Sequence, residues 1–127
     1  MYNNINPIKQ HSFLLSWLIL IFILVLAMII IGGITRITDS GLSMVEWRPI
    51  LGFLPPLSNQ EWERVFDLYK DTPEYSYYNK GMLLSDFKFI FFWEYFHRLW
   101  GRIIGIVFII PFVYLFFTKK IERFVTE

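Results

Sequence analysis

The chain has 127 residues, 55% of them hydrophobic and 20% aromatic, with a formal net charge of +1 and a mean hydropathy of +0.45. That balance gives no sign of a nucleic-acid partner and points to lipid as the solvent. Cysteine is absent, which excludes disulfides, thiolate metal sites and a cysteine nucleophile, and only two histidines, His11 and His97, are left for metal or proton chemistry.

Residues 1–12 are polar and read as a cytoplasmic tail. Phe13 to Ile34 follow as 22 residues without a charge. As a helix they span roughly 33 Å, enough for a hydrocarbon core of about 30 Å. The rival, a cleaved signal peptide, would have an apolar region of about 7–15 residues and a small-residue cleavage site. Gly32-Gly33-Ile34-Thr35-Arg36 is not such a site, so 13–34 is read as the first transmembrane helix. Gly32-Gly33 marks either a close helix contact or a helix stop.

Residues 35–87 hold most of the charge and the prolines Pro49, Pro55, Pro56 and Pro73, and read as a long extracytoplasmic loop. A short amphipathic helix is predicted near 59–70. Ser58 and Glu61 have the spacing of a reciprocal capping box. Trp62, Val65, Phe66 and Tyr69 fall at i, i+3, i+4 and i+7. Pro73 is read as its stop. The stripe fits packing on the loop itself or lying at the membrane surface; packing at the membrane surface is the preferred reading.

The second transmembrane helix is placed at 88–117. Its far half, from Ile103, is uncharged, and its near half carries Glu94, His97, Arg98 and Arg102. Some 30 residues make roughly 45 Å of helix, so the first two turns stand among headgroups or protrude. The tail 118–127 brings Lys119, Lys120 and Arg123 next to the bilayer, and Lys9 is unopposed in the first tail. The positive-inside rule then puts both termini on the cytoplasmic or matrix side. The fold class is thus an all-α membrane protein of two transmembrane helices and a long extracytoplasmic loop.

Chemistry concentrates at residues 93–105. Residues three and four apart share a helical face, which aligns Glu94, His97, Gly101 and Gly105. A histidine offers an imidazole nitrogen to haem iron, glycines one and two turns on let a flat ring approach the backbone, and Arg98 and Arg102 match propionates. Plainer readings stand beside this one. Gly101 to Gly105 is a helix-packing GxxxG, the arginines snorkel to headgroups, and a lone interfacial histidine is often only hydrogen-bonded. His11 reads as a solvated tail residue.

The chain as a whole resembles the N-terminal part of haem A synthase, of the type lacking an extracellular cysteine pair. The motifs that carry this are Gly32-Gly33-Ile34-Thr35-Arg36-Ile37-Thr38-Asp39-Ser40-Gly41-Leu42-Ser43-Met44-Val45-Glu46-Trp47-Arg48-Pro49-Ile50, then Gly52-Phe53-Leu54-Pro55-Pro56-Leu57, Thr72-Pro73-Glu74-Tyr75, and Asp86-Phe87-Lys88-Phe89-Ile90-Phe91-Phe92-Trp93-Glu94-Tyr95-Phe96-His97-Arg98. The resemblance implies an eight-helix enzyme of two four-helix halves, sited in the cell inner membrane or the mitochondrial inner membrane. Such an enzyme oxidises a methyl group of haem O to the formyl group of haem A for cytochrome c oxidase. It implies that His97 is an axial metal ligand of the substrate haem O, with Arg98, Gly101 and Arg102 around the cofactor. Glu94 would be the catalytic carboxylate near the reacting methyl, stabilising positive charge or relaying protons. A haem b belongs to the C-terminal half, which is absent from this chain. The partners suggested are membrane lipid, haem O, the missing C-terminal helices in the same or a second chain, haem O synthase and cytochrome c oxidase assembly factors. The chain alone is expected to be inactive. Two other classes remain open: a small non-catalytic haem-binding or electron-transfer subunit that dimerises around His97, and a structural subunit of a respiratory complex in which His97 is incidental.

Overall fold

The computed structural model describes residues 7–48 and 53–118. The orienting residues Lys119, Lys120 and Arg123, and Pro49, Ile50 and Gly52 of the motif, lie outside the described residues. All regular structure among the described residues is helical: α1 (Pro7–Ile37), α2 (Asn59–Lys70), α3 (Pro73–Tyr77) and α4 (Leu84–Phe117). Two stretches, His11–Ile37 and Leu84–Phe117, are long and apolar enough to cross a membrane.

Helix α1 overruns the apolar run at both ends. Pro7 opens it, since proline at the first helical position gives up an amide that would have no partner there. Gly32-Gly33 does not stop it. It ends instead in a Schellman closure: the Asp39 amide donates to the Arg36 carbonyl at 3.2 Å and the Ser40 amide to Thr35 at 2.9 Å. Asp39 takes the left-handed conformation this requires, with φ of 50°, a place where Asp is among the few tolerated side chains. Helix α4 starts at Leu84, earlier than the hydropathy boundary suggests.

The chain divides into two compact units, Met1–Met28 with Gly101–Glu127, and Ile29–Trp100. In the first unit, Trp17 is almost fully buried and stacks on Phe108 at 5.6 Å between ring centroids. Its indole N–H donates to the Val107 carbonyl at 2.9 Å. That carbonyl is available because residue 111 is proline, and proline has no N–H to return to the residue four back. Gly101 belongs to this unit: a Cβ there would stand 3.4 Å from Met28 Cε, which is the close packing a small residue serves.

The second unit closes around aromatic side chains. Tyr69 and Phe87 are fully buried, with Phe66, Ile90 and Phe91 beside them. The ring of Phe87 lies 4.9 Å from Phe66 and 5.1 Å from Tyr69, centroid to centroid. The α2 stripe of Trp62, Val65, Phe66 and Tyr69 packs against Phe87, Ile90 and Phe91 of α4 in its own unit, a partner that neither sequence reading named. Ser58 caps α2 by accepting from the Glu61 amide at 3.2 Å. The return arm of the expected box is not formed among the described bonds; the Glu61 carboxylate pairs with Arg64 at 3.2 Å instead. Pro73 both closes the way for α2 and opens α3, with Thr72 as N-cap. A turn from Asn79 to Met82 leads into α4, and Gly81 supplies its positive φ of 85°.

Candidate functional site in the second unit

Glu94 is 3% exposed. An ionised carboxylate so placed needs compensating donors, and five are present. Oε2 accepts from the Ser43 amide at 2.7 Å, the Ser43 hydroxyl at 2.7 Å and the Met44 amide at 2.8 Å. Oε1 accepts from Arg98 Nε at 3.0 Å and Nη2 at 2.7 Å. The Arg98 bonds follow from helical spacing, since i and i+4 share a face. Those from Ser43 and Met44 exist because the Schellman turn sends the chain back across α4, so that two successive amides point at one oxygen.

His97 lies three residues beyond Glu94 and lines a cavity of about 490 Å³ with Gly32, Thr35, Arg36, Asp39, Gly41, Leu42, Glu74, Glu94 and Arg98. No hydrogen bond is formed by its ring among the described residues. Across from it, a Cβ on Gly32 would stand 3.2 Å from Nε2, tighter than ordinary contact. The glycine on α1 thus keeps space for the imidazole, and any larger residue would push the ring. A second cavity, of about 390 Å³, shares Gly41, Leu42, Glu74, Glu94 and Arg98 with the first and adds Met44, Val45, Thr72 and Pro73.

The loop carries its own ion pairs. Arg64 bonds both oxygens of Glu46, at 2.8 and 3.1 Å, and Arg48 approaches the same carboxylate at 2.7 Å. The hydrogen bond from Arg64 holds the Glu46 carboxyl below the ordinary carboxylate value, helped by the charges of Arg64 and Arg48.

Of the residues singled out by sequence, Glu94, His97 and Arg98 come together on one cavity. Gly101 and Arg102 fall in the first unit. Gly32, Arg36, Asp39 and Ser43 take places that sequence reasoning left without chemistry. Gly32 had a signal, because a glycine pair inside an apolar run asks for a close contact. Ser43 had none, because its partner lies 51 residues away.

Comparison with known proteins adds the following. The family model COX15-CtaA, described as cytochrome oxidase assembly protein, matches residues 15–127. A protein of Nitrosomonas eutropha named heme A synthase is 51% identical over 115 residues, covering 91% of this chain and 32% of the relative. The heme A synthase of Nitrosospira multiformis is 53% identical over 107 residues, 84% of this chain and 30% of the relative. That of Rickettsia canadensis is 55% identical over 114 residues, 90% of this chain and 34% of the relative. The chain therefore spans about a third of the length of the curated relatives it matches. No solved structure matches it.

Proposed function

Since this chain belongs to the COX15-CtaA family of cytochrome oxidase assembly proteins, we propose that it is the substrate-binding N-terminal part of a haem A synthase, holding haem O through His97. The observation that carries this reading is an imidazole with no hydrogen bond among the described residues, facing a cavity kept open by Gly32 and walled by Arg36 and Arg98. These residue types fit the group. A neutral imidazole suits haem iron, and guanidinium groups suit propionate carboxylates. Haem O is the substrate, whose methyl group the complete enzyme oxidises to the formyl group of haem A.

In this reading the chain's own residues bind and orient. His97 would hold the haem iron through its imidazole, and a second ligand and the haem b would be supplied by further helices in the same or another chain. Trp93 Nε1 is buried without an acceptor among the described residues, a donor that a further helix or the ligand would satisfy. Arg98 retains donors beyond the two it gives Glu94, and at the cavity wall these would suit a propionate. Glu94, already accepting five hydrogen bonds, is committed to holding Ser43, Met44 and Arg98 in place. Both termini lie on the cytoplasmic or matrix side of the inner membrane, with the loop on the other face. Haem O synthase supplies the substrate.

The test is to express the chain in cells that make haem O, purify it in mild detergent, and identify the extracted haem by chromatography. Haem O in the wild type and its loss in His97→Ala are expected. Equal loading of the two, or no haem in the wild type, overturns the assignment.

A further inference from the structure

Burying a carboxylate and its arginine is rarely more stabilising than apolar packing of the same volume, so the arrangement around Glu94 asks for a reason beyond stability. Its donors come from two sources. Arg98 is one turn along the same helix. Ser43 and Met44 belong to the segment that follows α1, and both of their amides reach the same oxygen. Glu94 is therefore a clamp that fastens residues 41–44 onto α4. Immediately before the clamped amides come Gly41 and Leu42, and these two residues line both cavities. One cavity holds His97; the other is bounded by Thr72, Pro73 and Val45. The clamped segment is part of the wall the two cavities share, together with Glu74, Glu94 and Arg98.

We propose that Glu94 is a positioning residue, which shapes the His97 cavity by holding the Gly41–Leu42 wall in place and by keeping the Arg98 guanidinium at the cavity wall. It acts through Ser43, Met44 and Arg98 rather than on the substrate. The part of this that concerns haem rests on the haem reading of the cavity; the clamp itself does not. Glutamine cannot replace it. Its amide keeps one acceptor oxygen, and the NH2 group would face donors. Ser43→Ala removes one of the five bonds and leaves both amide contacts, a milder lesion in the same direction.

The experiment compares wild type, Glu94→Gln, Ser43→Ala and His97→Ala in detergent. It measures hydrogen–deuterium exchange at the Ser43 and Met44 amides without haem, and haem O affinity by absorbance titration. In Glu94→Gln we expect exchange at both amides to rise and haem O binding to weaken, each by about tenfold or more, as when buried donors lose a charged acceptor. The histidine-ligated absorption signature is expected to persist in the haem that still binds. Ser43→Ala shifts both readouts the same way by less. Unchanged exchange with unchanged affinity in Glu94→Gln overturns the proposal. Faster exchange with wild-type affinity overturns its second half, leaving a clamp that does not shape the cavity. If His97→Ala binds haem O as wild type does, the haem assignment fails, and the exchange comparison still decides the clamp.

Discussion

Glu94 in the second unit gathers five hydrogen bonds on one carboxylate, whereas the tie described in the first unit joins an indole to a carbonyl. The contrast reflects what each unit has to work with. Between helices in lipid, apolar side chains gain little by leaving one apolar surrounding for another, so small-residue packing and polar ties carry the association. Trp17 on Val107 and Gly101 on Met28 are of that kind. The second unit has an aromatic core of its own, and with that core in place a buried ion pair and a segment pinned by its amides become affordable. Its stability is carried by Phe66, Tyr69, Phe87 and Phe91, which leaves Glu94 free to serve shape.

The change expected to break this comparison most directly is Phe87→Ala. It removes a fully buried ring that touches Phe66, Tyr69 and Phe91. A loss of about 3–5 kcal/mol is expected, read as thermal melting and faster amide exchange over residues 59–97, with the first unit's exchange little altered. If the whole chain loosens together, the two units are not separable. Trp17→Phe probes the other side. Losing the bond to Val107 is expected to weaken the first unit by about 1 kcal/mol, seen as faster exchange in residues 101–118, while Ser43 and Met44 keep their protection. The smallest effect is expected from pH. Glu46 has its folded-state carboxyl held below the ordinary value by Arg64. Its contribution is therefore present above the ordinary carboxylate range and is lost as pH falls through the lower, folded value. Both side chains are about a third exposed, which limits the effect to roughly 0.2–1 kcal/mol. Arg64→Ala should reduce this acid sensitivity in the melting of the second unit, with Arg48 keeping a part of it, and leave the first untouched.

Much of this was legible in the sequence. Twenty-two uncharged residues give the first span, and the i, i+3, i+4, i+7 stripe gives α2, because both are local patterns with one physical cause. The boundaries were less so. Hydropathy marks where lipid would begin and not where a helix ends, so α1 runs on through polar residues to a Schellman turn. Pro73 was legible as a stop for one helix but not as the start of the next, since the same fixed φ serves both. Glu94, His97 and Arg98 stood out as costly residues in an apolar helix. What the residues around Glu94 do with it was not legible, because a backbone amide donates the same way whatever its side chain. Only the fold reveals that Ser43 and Met44 are the ones to meet it.

Val107 has one more consequence. Along a regular helix each interior carbonyl is engaged by the amide four residues on, so a slip of one helix past another would normally meet an unchanged row of occupied acceptors. Pro111 removes one occupant and leaves a vacancy at a single height on α4. An indole donor approaching from α1 finds its acceptor there, and sliding by one residue or rotating by a third of a turn takes it away. A missing hydrogen on one helix thereby fixes the register of two, as a notch fixes a ratchet.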